Sequence, residues 1–222
     1  YGKLPSAGDF LQRRFPDTLQ RQWSHWFQVG LLAWQQEEQR SGERPFSKAP
    51  VWNFVVPPML GSQMIQMGCL LPGRDSVGRH YPVCLQLSFT PAEWSSRLLG
   101  QAESWYQQLG RLGLHAVRNS YSASQLDEML MTIPAPQPVE PQKRSDILDV
   151  IGYDDEGQST LGWPQAAECF DPLRQTSYWW TNRCDGYPLY THVHSGQLFT
   201  LLFDPAGGAR PGRHGFYPPM FE

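Results

Sequence analysis

Hydrophobic and polar positions alternate in clear blocks along the chain. Leu19, Trp23, Trp26, Phe27 and Trp34 recur at spacings of three, four or seven. That period predicts an amphipathic helix, with Asp17 as N-cap after Phe15-Pro16 and Ser41-Gly42 as its stop. Val51 to Val56 reads as a strand closed by Pro57-Pro58, and Met64 to Leu71 as a second. In Tyr81 to Phe89, Val83, Leu85, Leu87 and Phe89 alternate with Cys84, Gln86 and Ser88, the period of a third strand. Thr90-Pro-Ala-Glu93 has the form of a capping box with Pro at the first helical position. Trp94, Leu98, Leu99, Ala102, Trp105, Tyr106, Leu109 and Leu112 then follow the helical period, so one helix is expected there, and a shorter one from Ser122 to Met131.

Pro134 to Pro141 holds four prolines in eight positions and predicts an extended surface segment. Beyond it come strand patterns at Ile147–Ile151, Ser177–Asn182 and Leu189–Val193, a helical turn near Pro164–Phe170, and a helix near Gly196–Phe203. These elements are too few for a core of their own. Residues 1–222 are therefore read as one α/β domain with a Pro-rich excursion at 134–145 and a Gly/Pro-rich tail from 204. The irregular alternation of helix and strand predicts a mixed sheet covered by helices on both faces.

Composition changes this picture in one respect. The chain of 222 residues carries 9 Trp, 9 Tyr and 11 Phe, with a net charge of −3. Trp23, Trp26, Trp52, Trp94, Trp105, Trp179 and Trp180 sit at helical or strand spacing and are expected mainly in the core, with a secondary role at an interface. No basic run interleaves with aromatics, which argues against nucleic acid as a partner. No apolar run approaches the roughly 18 residues of a membrane span, and no signal-peptide pattern is seen. The start at Tyr1 rather than Met leads us to expect a short preceding piece. Cys69, Cys84, Cys169 and Cys184 form no CxxC pair and read as buried thiols of a reducing, cytosolic compartment.

Most chemical motifs fail. Lys3 beside Gly2 and Ser6 suggests a phosphate loop, but the Lys precedes the turn and Pro5 removes a backbone donor. His192 and His194 share one side of a strand pattern, yet two ligands do not complete a metal site. His25 reads as a packing residue between two tryptophans, and no nucleophile signature surrounds any Ser or Cys. No cofactor or metal is expected.

Two loops stand out because they resemble each other. The first, Gly2-Lys-Leu-Pro-Ser-Ala-Gly-Asp-Phe-Leu-Gln-Arg-Arg14, offers Lys3, Asp9, Arg13 and Arg14. The second, Leu71-Pro-Gly-Arg-Asp-Ser-Val-Gly-Arg-His-Tyr-Pro82, offers Arg74, Asp75 and Arg79. Each has strand patterns close by, so the loops are expected to meet at one rim of the sheet, with Asp9 and Asp75 pairing Arg79, Arg13 or Arg14. Such a cluster would either brace the fold or form a recognition surface.

The same loops carry a family likeness. Gly2-Lys-Leu-Pro5, Gly8-Asp-Phe10, Arg13-Arg14, Trp23, Trp26, Pro50-Val-Trp-Asn-Phe54, Gly68, Leu71-Pro72, Asp75-Ser-Val-Gly-Arg79, Pro82 and, later, Ser177-Tyr-Trp-Trp-Thr181 resemble the TagF (ImpM-like) family of type VI secretion accessory proteins. The chain departs from the family pattern at Ser24, at Asn53 and just before Asp75. The resemblance implies a three-layer α-β-α sandwich. It also implies a cytoplasmic, non-catalytic, post-translational negative regulator of a bacterial type VI secretion system, acting with or against a forkhead-associated scaffold protein. Some relatives are fused to a PP2C-type phosphatase, which then holds the chemistry. Two alternatives remain: a hydrolase using a carboxylate and His80 near the second loop, and a structural subunit of the secretion apparatus.

Overall fold

The computed structural model describes residues 1–41, 46–58, 62–137, 166–181, 189–191 and 196–203. The chain order is α1 (Asp17–Ser41), a 3-10 turn (Phe46–Lys48), β1 (Trp52–Val56), β2 (Ile65–Leu71), β3 (Val83–Phe89), α2 (Ser96–Gly100), α3 (Glu103–Arg118), α4 (Ala123–Thr132), α5 (Ala166–Cys169), β4 (Ser177–Thr181), β5 (Leu189–Thr191) and α6 (Gly196–Leu202). The expected strand at Ile147–Ile151, His192, His194, Cys184, most of the Pro-rich excursion and the tail from 204 lie outside the described residues.

The sheet runs β3-β2-β1-β4-β5. Every described strand pair is antiparallel, so the expectation of a mixed sheet is corrected. The reason is loop length: the connections from β1 to β2 and from β2 to β3 are too short for the crossover that parallel neighbours need.

Strand alternation splits the core in two. Val55, Ile65, Met67, Cys69, Leu71, Val83, Leu85, Tyr178 and Trp180 point to one face, where Leu99, Trp105, Tyr106, Leu109, Leu112 and Leu126 of α2, α3 and α4 cover them. Trp52, Phe54, Val56, Leu70, Cys84 and Trp179 point to the other, under Leu19, Trp23, Trp26, Phe27 and Trp34 of α1 and Leu198, Phe199 and Leu202 of α6. The result is the α-β-α layering. The aromatic stripe of α1 is buried throughout, with Trp23 packed on Phe54 at 5.0 Å and Trp26 on Trp179 at 5.7 Å between ring centres.

Polar handles on the large rings pin the layers together. Trp23 Nε1 donates to Gln66 Oε1 (2.7 Å), Trp52 Nε1 to the Leu202 carbonyl (2.7 Å) and Tyr106 OH to the Phe54 carbonyl (2.9 Å). A buried indole or phenol left without a partner would carry the uncompensated desolvation cost of its N–H or O–H, and each of these three avoids it.

Two further expectations are corrected. The helix expected after Thr90 is split into a turn, α2 and α3. The Thr90 hydroxyl donates to the Glu93 carboxylate (2.7 Å), so it closes a turn on itself instead of capping a helix. Trp94 wedges edge-on between Phe89 and Phe170, and Ser95 caps the new start by accepting from Arg97 N–H. Among the cysteines, Cys69 and Cys84 are buried free thiols, but Cys169 is exposed because the short α5 turns it outward.

Candidate functional site

The first loop closes early. Gly2 and Leu11 exchange both backbone hydrogen bonds (3.1 and 2.8 Å), and Ala7 N–H returns to the Leu4 carbonyl (3.1 Å) with Pro5 at the position such turns favour. Gly2 also bridges to Val83, which fastens the loop to the start of β3. The second loop folds between the β2 end and the β3 start. Arg74 bridges His80, and Tyr81 N–H donates to the Gly73 carbonyl (3.1 Å). The Asp75–Gly78 turn is closed by Gly78 N–H on the Asp75 carbonyl (3.0 Å), with Gly78 at φ 87, a conformation that favours glycine.

The two loops touch. Ser76 N–H donates to the Ala7 carbonyl (2.9 Å), and Gly73 lies so close to the first loop that a Cβ on it would stand 2.8 Å from the Lys3 carbonyl. At their junction the Asp75 carboxylate accepts four donors. Oδ1 takes the N–H groups of Val77 (3.1 Å) and Arg79 (2.9 Å), and Oδ2 takes Lys3 Nζ (2.9 Å) and Arg79 Nε (2.6 Å). The Asp75 side chain is fully buried and Lys3 nearly so, whereas Arg79 keeps 65% of its side chain exposed. Lys3 Nζ also stands 4.8 Å above the Phe10 ring, so an aromatic face and a carboxylate share the ammonium. Burial alone would raise the Asp75 pKa. The hydrogen bonds from Lys3 and from the Arg79 backbone and side chain outweigh it and hold the carboxyl well below the usual range.

The other charged candidates go elsewhere. Arg14, at φ 47, turns to α4 and forms a two-pronged pair with Asp127 (2.6 and 2.9 Å). Arg13 donates to the neighbouring Gln12 carbonyl, and Asp9 is exposed with no ion pair among the described residues. The expected pairing of Asp9 with an arginine is therefore corrected, as is a place for Arg13 or Arg14 beside Asp75. Lys3, counted with the charged cluster but given no partner there, is the first-loop cation that Asp75 takes. Trp23, Trp26, Trp52, Trp179 and Trp180 are all buried in the two cores. Among the residues that the loops leave exposed are Phe10 (52% exposed), Val77 (71% exposed), Asp9 and Arg79.

His80 and Arg74 lie on a different feature, a cleft of about 1000 Å³ that includes Lys48, Gln107, Arg111, Leu114 and Arg118. His80 packs against Phe46 (5.1 Å), and neither Asp9 nor Asp75 lines the cleft. Sequence reading missed this cleft, although Gln107, Arg111, Leu114 and Arg118 fall at spacings of four, three and four along α3. Among the described residues no group of His, Cys, Asp and Glu could hold a metal ion, and no helix is long and apolar enough to cross a membrane.

Together the layered antiparallel sheet and the buried lysine–aspartate clasp define an α/β protein whose conspicuous site is a braced pair of loops. The chain belongs to the family described as the TagF N-terminal domain, type VI secretion system-associated, which matches residues 1–133 and so takes in both loops. Its fold is similar to that of PA0076 from Pseudomonas aeruginosa PAO1, with a TM-score of 0.70 and 21% identity over 96% of each chain. No curated protein matches the sequence.

Proposed function

We infer that this type VI secretion-associated protein is a non-catalytic, cytoplasmic regulator that restrains secretion post-translationally by binding a forkhead-associated scaffold protein. The observation that carries the reading is the outer rim of the joined loops. There Phe10 and Val77 expose apolar surface beside Asp9 and Arg79, on backbone held rigid by the Asp75 clasp. Loops held by a rigid scaffold are frequent binding elements, and an apolar centre with charged neighbours suits a protein partner. Restraint then works by mass action: the regulator binds one state of the scaffold and depletes the population able to assemble.

The hydrolase alternative draws no support from the loops. A general base needs a lone pair to spare and acidity near the working pH. Asp75 has both oxygens committed to donors and its acidity shifted the other way.

The test is capture of the forkhead-associated scaffold of the same secretion system by the full chain. Val77→Asp changes the exposed side chain at the rim and keeps the Val77 backbone N–H that Asp75 accepts. Capture by the native chain and its loss in the variant, at unchanged melting temperature, is the expected result. Equal capture by both would remove the rim from the interface, and no capture by the native chain would overturn the scaffold reading.

A further inference from the structure

The cleft that spacing did not reveal has an uneven charge. Three strand ends meet at one end of the sheet: Val51 leads into β1, Thr181 closes β4 and Pro72 follows β2. The pairings Trp52↔Leu70 and Trp52↔Thr181 bring these points side by side. The outward face of α3 walls one side through Gln107, Arg111, Leu114 and Arg118. The 3-10 turn walls the other through Ser47 and Lys48, and Arg74 and His80 of the second loop stand at the rim.

Lys48, Arg74, Arg111 and Arg118 thus face one concave space from three separate parts of the chain. No described carboxylate lines it, and none of the four cations has an ion pair among the described residues. A chain with a net charge of −3 has gathered around one hollow four cations that no described residue neutralises, at a cost in mutual repulsion that a bound anion would remove. The floor between them is apolar: Ala49, Pro50, Val51, Pro72, Leu114 and Val117.

We propose that this cleft binds an acidic, extended peptide segment of a protein partner, with carboxylates on the four cations and alternate apolar side chains on the floor. The spread of the charges favours a peptide over a single phosphate group. Arg111 and Arg118 are seven residues apart on α3, about 10 Å along its axis, and Arg74 and Lys48 stand on other walls. Same-side residues of an extended strand repeat about every 6–7 Å, which lets successive carboxylates reach successive cations. A nucleotide would want an aromatic platform, and His80 is the sole described ring in the lining. A membrane surface is flat where the cleft is hollow. The proposal stands apart from the scaffold reading, because its probe is a synthetic peptide.

The experiment is fluorescence anisotropy of the full chain with a labelled decapeptide alternating Glu and Val, and with its Gln-for-Glu counterpart. The acidic peptide is expected to bind and to weaken steeply with added salt. Arg111→Glu combined with Arg118→Glu should weaken it by about tenfold or more, while Arg97→Glu, exposed on α2 away from the cleft, should leave it within about twofold. Circular dichroism checks that both variants are folded. Equal binding of the Gln peptide overturns the proposal, as does undiminished binding by the folded double variant. Failure of the peptide to bind also overturns it, and ATP, pyrophosphate or phosphatidylserine vesicles, run in parallel, then show whether the cleft takes a different anion.

Discussion

The first and second loops look alike on paper, each with Leu-Pro, a Gly and Asp close together, and arginines downstream. Yet their carboxylates have opposite fates. Asp75 is sealed in the protein and holds four donors, while Asp9 stands in solvent with no ion pair among the described residues. The difference is position relative to the sheet. The second loop is anchored at both ends by paired strands, so its turn is drawn inward over the rim, where Lys3 awaits. The first loop is hitched at Gly2 and Leu11; Lys3 and Leu4 turn inward, and Ser6 to Phe10 bulge outward. Similar residue strings therefore produce one structural clasp and one exposed rim.

Removing the clasp should give the largest effect. Asp75→Ala strands the Lys3 ammonium and two loop N–H groups, so the melting temperature is expected to fall by on the order of 10 °C. Asp9→Ala should not move it by more than about 1 °C. Scanning calorimetry on the two variants checks the contrast, and similar losses from both would abolish it. Acid sharpens the same point. The folded Asp75 carboxyl titrates below its unfolded value of about 3.9, so its stabilising effect is complete above about pH 4 and disappears as pH falls through the lower folded value. An acid titration of Asp75→Asn should lack that component of the native curve, and a superimposable curve would show that the carboxylate is not held as described.

The glycines give a second, smaller contrast. A methyl at Gly73 would stand 2.7 Å from the Tyr81 carbonyl and 2.8 Å from that of Lys3, both backbone, so Gly73→Ala should cost about 2 kcal/mol in urea unfolding. Gly8→Ala, whose nearest neighbour is Ser76 Oγ at 3.6 Å, should be close to neutral. If Gly73→Ala is also neutral, the loops are not pressed together. The smallest expected change is at Arg14. Its pair with Asp127 is well formed but half exposed, so Arg14→Ala should cost only about 0.5 kcal/mol. A loss several times larger would mean that the first loop leans on α4 more than on the second loop.

Much of this protein could be read before any coordinates. Hydrophobic patterning located α1, α4, α6 and the five described strands, since a helix or strand must bury an apolar face and that need is written locally in the chain. The tryptophans of the α1 stripe fell in the core for the same reason. The family likeness rested mainly on residues 1–90, where the two loops lie, and again on Ser177–Thr181; the matched segment contains the first set and not the second.

Other features depended on distance in the chain. Lys3 and Asp75 are separated by 72 positions, and no local pattern says which charge will be buried with which. The strand sense depended on how the chain returns to the sheet. The break between α2 and α3 came from Trp94 seeking Phe89 and Phe170. The cationic cleft gathers Lys48, Arg74, Arg111 and Arg118 from elements that meet only once the sheet is assembled. Sequence alone determined which faces of each element are apolar, because that property is local. Tertiary structure alone decided which charges are buried, paired or left facing a hollow, because electrostatic energy depends on distances and solvent exclusion that exist only after folding.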